Sequence, residues 1–77
     1  MVRAYVLVKA EAGRISEIMS ELARLPRVER ADAVTGPADL IVSVSAEDPR
    51  ALAELIFRSV QTIPGVKETD TRIVVSE

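Results

Sequence analysis

The chain repeats itself. Leu25-Pro26-Arg27-Val28-Glu29-Arg30-Ala31-Asp32 aligns with Ile63-Pro64-Gly65-Val66-Lys67-Glu68-Thr69-Asp70 at an offset of 38 residues, half of the 77 in the sequence. A repeat of this length is one supersecondary unit, and such a unit cannot bury its apolar face alone. Whatever the first half forms, the second must form as well, and the two must share one core.

Hydrophobic spacing says what each half is. Arg3 to Ala10 is β-branched and apolar on both alternating faces, the pattern of a central strand. Ile15, Ile18, Met19, Leu22 and Leu25 then recur at helical spacing, with Glu17, Glu21 and Arg24 on the other side and Pro26 as the stop. Val28 to Thr35 mixes Val28, Ala31, Ala33 and Val34 with charges, which suits an edge strand broken by Gly36-Pro37. Leu40 to Ser45 is a second central strand. Asp48-Pro49 opens the second helix, Asp as N-cap and Pro at the first helical position, with Leu52, Leu55, Ile56 and Val60 as its stripe and Pro64-Gly65 near its end. Val66 to Val75 closes the chain as a strand.

Each half is therefore one βαβ unit, and the expected fold is α+β, a ferredoxin-like α/β-plait (βαββαβ) formed by residues 1–77 as one domain. Right-handed crossovers put both helices on one face of a four-stranded antiparallel sheet in the order 4-1-3-2, with the two most apolar strands in the centre. The other face is left for a partner. Burying about 500 Å² of apolar surface there contributes on the order of 12 kcal/mol before the cost of association, so a homodimer is expected.

Composition removes whole classes of function. There is no cysteine and no histidine, so disulfides, thiol nucleophiles, the usual general base and the commonest transition-metal ligand are absent. Neither a cofactor nor a metal is implied. Net charge is −2 with scattered basic residues, and Tyr5 and Phe57 are the only aromatics, so direct nucleic-acid binding is not expected. Val2 to Ala10 is too short to be a membrane span or a signal peptide, and a cytoplasmic location follows by default.

Thr35-Gly36-Pro37-Ala38-Asp39-Leu40 is the segment that bears most on function. Its turn chemistry reads as a hairpin connection, with Gly for a positive φ, Pro for a preset φ and Asp as a cap. Taken in order, the strand, the helix, Leu25-Pro26-Arg27-Val28-Glu29, Val34-Thr35-Gly36, Asp39-Leu40-Ile41-Val42, Ile63-Pro64-Gly65-Val66 and Thr69-x-Thr71 resemble the effector-binding domain of the Lrp/AsnC transcription regulators. The resemblance covers nearly the whole chain. It implies an amino-acid-sensing plait that pairs through its sheet and stacks dimers into octamers or decamers, with effectors at the dimer junctions. In such proteins the Gly-x-x-Asp turn contributes to the pocket, here Gly36 and Asp39. Regulators of this family carry an N-terminal helix-turn-helix, and this chain, beginning at the first strand, resembles a stand-alone form that partners full-length regulators. The position before the Asp, often aromatic in the family, is Ala38 here, so effector identity does not carry over.

For a zwitterionic effector, Asp39 is the expected acceptor of the α-ammonium group, and backbone N–H groups or the hydroxyls of Thr35, Thr69 and Thr71 are expected to meet the carboxylate. Thr69 and Thr71 lie two apart on one strand and point to the same face, although threonine is also an ordinary strand residue. Glu29, Asp32 and Glu68 read as solvated edge-strand charges in preference to a catalytic pair or metal site, and Met19 as packing. The function expected is an effector-binding and oligomerisation module, not an enzyme. The alternatives are an ACT-like regulatory domain, a small dimeric α+β-barrel enzyme, and an assembly unit without ligand.

Overall fold

The computed structural model describes residues 1–76. β1 (Val2–Ala10), α1 (Ile15–Ala23), β2 (Val28–Ala33), β3 (Leu40–Ala46), α2 (Pro49–Leu55) and β4 (Val66–Ile73) follow one another, and α2 runs on into a π-helical turn, Ile56–Val60. The sheet order is β2-β3-β1-β4 with all neighbours antiparallel, so the expected plait is the fold observed.

The sequence repeat is a structural one. Val28 N–H donates to Leu25 O and Val66 N–H to Ile63 O, both at 3.1 Å, so equivalent turns lead into β2 and β4. One step earlier, Leu25 N–H bonds Leu22 O and Ile63 N–H bonds Val60 O, at 3.1 and 3.2 Å. Buried Ile18 and Leu22 of α1 have Ile56 and Val60 as their counterparts. Period-2 alternation does the same in the strands. Ala4, Val6 and Val8 of β1 and Leu40, Val42, Val44 and Ala46 of β3 turn inward against Ile18, Leu22, Leu52, Ile56, Val60 and Ile63, one continuous core between sheet and helices.

Several boundaries differ from the expected ones. β2 ends at Ala33 and not Thr35, with one further in-register bond from Val34 N–H to Asp39 O before the turn. β4 ends at Ile73 and not Val75, with one further bond from Val74 N–H to Arg3 O. α1 stops at Ala23, two residues short of Leu25, and a tighter turn leads to Pro26. The second helix leaves α geometry at Ile56: Gln61 N–H bonds Ile56 O, five residues back, at 2.8 Å. Asp48 does cap α2, its Oδ1 accepting from Ala51 N–H at 2.8 Å.

The central strands bury their apolar residues against the helices, and on the other face only Ser45 is buried among the described residues. Tyr5 and Ile41 remain 44% and 36% exposed on the face away from the helices, with half-buried Leu7 paired to Ile41 on one side and to Asp70 on the other. Ion pairs rim this open face: Arg3 with Glu29, Arg30 with Asp32, Lys9 with Glu68, Arg72 with Asp70.

Candidate functional site

The β2–β3 turn is held by one side chain. Where the β1–β3 ladder stops at Val8–Leu40, Asp39 continues it twice, its N–H donating to Val8 O at 2.9 Å and its Oδ2 accepting from Ala10 N–H at 2.8 Å. The carboxylate thus replaces the backbone carbonyl that a longer β3 would have offered. Gly36 adopts φ +129°, which side-chain-bearing residues rarely reach, and the space where its Cβ would stand is open.

This turn roofs a cavity of about 220 Å³ lined by Pro37 and Ala38 from the turn, Leu7 and Lys9 from β1, and Glu68, Thr69 and Asp70 from β4. Lys9 Nζ lies 3.9 Å from Glu68 Oε2. Asp70 is held by Arg72, whose Nε and Nη2 donate to its two oxygens at 3.0 and 2.9 Å. That pairing pushes the Asp70 carboxyl below its ordinary range and the Arg72 guanidinium above its own. A second cavity of about 300 Å³ runs between α2 and β4, with Leu52, Ala53, Ile56 and Phe57 on one wall and Thr69, Thr71 and Ile73 on the other. Gln61 Nε2 donates to Thr69 Oγ1 there at 2.8 Å.

The residues singled out in the sequence are only partly brought together. Thr69 and Thr71 do share a face, but it is the helix-covered one, since they pair with buried Val8 and Val6. Thr69 borders both cavities and Thr71 only the groove beside α2. Thr35 and Gly36 are exposed and line neither, and Asp39 braces the roof of the first cavity without lining it. Lys9 and Glu68 were not expected at a site. A signal existed for Lys9: a lysine that interrupts an apolar strand on the same face as Tyr5 and Leu7 is out of place unless that face meets water or an anion. Among the described residues no group of three or more His, Cys, Asp or Glu is placed to hold a metal ion, and no helix is long and apolar enough to cross a membrane.

Comparison with known proteins shows the family and agrees with the fold. The family model for the Lrp/AsnC ligand binding domain matches residues 3–77. An uncharacterized HTH-type transcriptional regulator of Pyrococcus horikoshii is 33% identical over 73 residues, 95% of this chain and 46% of the regulator. The chain thus spans about half the length of the curated relatives it matches. Among solved structures, that of FFRP-DM1 superposes with a TM-score of 0.94 at 33% identity, covering 97% of this chain and all of that one. A Neisseria meningitidis transcriptional regulator in complex with L-Met has the same fold, with a TM-score of 0.92 at 18% identity over 99% of this chain and 51% of that one.

Proposed function

The chain belongs to the Lrp/AsnC ligand-binding domain family, and from that premise we propose that it is a non-enzymatic effector-binding and oligomerisation module, one domain, that senses an amino acid or similar small metabolite and acts through other protein chains in the cytoplasm. The observation that carries this reading is the cavity under the 34–39 turn. Its volume, below the roughly 300–1,000 Å³ of pockets for drug-sized ligands, suits a single small metabolite. A relative of the same fold holds L-Met. In this reading Asp39 keeps Oδ2 on Ala10 N–H and offers its other oxygen to the α-ammonium group. Gly36 shapes the turn, the Thr69 hydroxyl supplies a hydrogen bond within the cavity and Thr71 serves the adjoining groove, while Thr35, outside both, meets an effector only through a neighbouring subunit of the assembly.

The open sheet face supports homodimerisation. Tyr5, Leu7 and Ile41 form an apolar strip on that face, flanked by Arg30–Asp32 and Arg72–Asp70, which are paired within the chain, so covering those charges strands no ion. Stacking of dimers into octamers or decamers, and mixed assembly with full-length regulators, extend the same logic. Light scattering at micromolar concentration is expected to give an even number of subunits, and a monomer refutes the sheet pairing.

Thermal-shift measurements over the proteinogenic amino acids test the sensing role. A ligand that binds only the folded state raises the melting temperature as its concentration passes Kd. One or a few amino acids are expected to do so; a flat response to all of them favours an assembly unit without ligand.

A further inference from the structure

We infer that Lys9 is the residue that takes the effector's carboxylate, and that Glu68 is the resting counter-ion it leaves to do so. The inference rests on the effector reading above and names a group that hydroxyls and backbone amides had been expected to supply.

Lys9 is the only cationic side chain among the residues lining the turn cavity, and it faces two carboxylates. They are not equivalent. Asp70 has both oxygens engaged by Arg72. Among the described residues Glu68 pairs with Lys9 alone, at 3.9 Å, too long for a hydrogen bond. The two side chains are 52% and 70% exposed, and an exposed pair this loose is worth little, so Lys9 exchanges partners at small cost. An ammonium carries three donors, and an incoming carboxylate at hydrogen-bond distance makes a shorter, charge-assisted contact than Glu68 does. Thr69, by contrast, already accepts from Gln61.

The backbone holds Lys9 for this purpose. Asp39 bonds the residue on each side of it, Val8 through O and Ala10 through N–H, so the turn that roofs the cavity also fixes the base of the lysine stem. On the other edge the β1–β4 register passes from Lys9–Glu68 directly to Ala10–Val66, leaving Lys67 as the extra residue of a bulge. Bulges re-aim neighbouring side chains, and this one lies against the cavity. Asp39 is then a positioning residue for Lys9 in addition to its proposed contact with the ammonium group. The ligand class that follows is a small molecule with a free carboxylate; carboxamides lose the Lys9 contact.

The test is calorimetric titration of the wild type, Lys9→Met, Lys9→Arg and Glu68→Gln with the proteinogenic amino acids and with their carboxamides. Lys9→Met keeps the apolar stem and is expected to weaken amino-acid binding about ten- to a hundredfold while leaving carboxamide affinity unchanged. Lys9→Arg is expected to restore most of the loss, and Glu68→Gln to tighten amino-acid binding by removing the competing carboxylate. Equal affinities in wild type and Lys9→Met overturn the role of Lys9 alone and leave the effector reading standing. Parallel loss for acids and carboxamides shows Lys9 to be structural, and weaker binding in Glu68→Gln shows that Glu68 itself holds the ligand; either overturns the assignment. A wild type that binds none of the amino acids overturns the effector reading and this inference together.

Discussion

Replacing Asp39 by Ala removes the acceptor at 2.8 Å from Ala10 N–H and leaves that partly buried donor at the end of the β1–β3 ladder without a partner. Hydrogen bonds to charged groups contribute about 1.5–3 kcal/mol, and the loss falls in this range because the β1–β3 ladder ends at Val8–Leu40, short of Ala10. Asp39→Asn keeps a neutral acceptor of the same shape and should lose about half as much. The backbone adds no strain in either variant, since no residue other than glycine has positive φ among the described residues. Urea unfolding followed by circular dichroism reads the difference. For a chain this small the urea dependence is about 1 kcal/mol per molar, so the midpoint of Asp39→Ala should fall by roughly 1.5–3 M and that of Asp39→Asn by roughly half of that. Protein concentration must be equal across the series, because dimerisation makes the midpoint concentration-dependent. An unchanged midpoint in Asp39→Ala, or Asn more damaging than Ala, refutes the bracing role. A stable Asp39→Ala that has nevertheless lost effector binding would place Asp39 wholly on the ligand.

Gly65 sits at φ +99° with an added Cβ only 2.8 Å from Arg14 Cβ, whereas the space beside Gly36 is open, so Gly65→Ala should cost more stability than Gly36→Ala. The left-handed conformation alone accounts for about 1–2 kcal/mol and overpacking for about 1–3 more; equal midpoints for the two variants in urea contradict this. Leu22, fully buried between α1 and the sheet, should lose about 2–5 kcal/mol as Leu22→Ala, and a smaller loss in the same assay would mean that the site collapses around the cavity. The Asp70 carboxyl is lowered by hydrogen bonding to Arg72, so its stabilising contribution is complete above the ordinary carboxylate pKa of about 3.9 and disappears as pH falls through the lower folded value. Unfolding midpoints of wild type and Asp70→Asn should therefore differ by a constant amount above about pH 5 and draw together as the pH falls below the ordinary carboxylate pKa; a gap that does not shrink in acid argues against the pairing.

Much of this fold was legible residue by residue. Alternation in Arg3–Ala10 and Leu40–Ser45, helical spacing from Ile15 to Leu25, the cap at Asp48 and the repeat of Leu25–Asp32 in Ile63–Asp70 are all local, because side-chain period and turn chemistry depend on neighbours in the chain. Two βαβ halves with right-handed crossovers then leave one sheet order, and it is the order observed. The site was less legible. That the Asp39 carboxylate serves Ala10, 29 residues away, depends on where the β1–β3 ladder ends, and that Lys9 stands beside Glu68 depends on the β1–β4 register and its bulge. The α-to-π change at Ile56 has no local signature either; it accompanies the approach of Gln61 to Thr69. The sequence alone determined which elements form and which of their faces are apolar. Register, the face taken by Thr69 and Thr71, and the meeting of Lys9 with the turn were decided only by tertiary packing, because a one-residue slip between strands reverses every side chain while leaving each strand's own pattern unchanged.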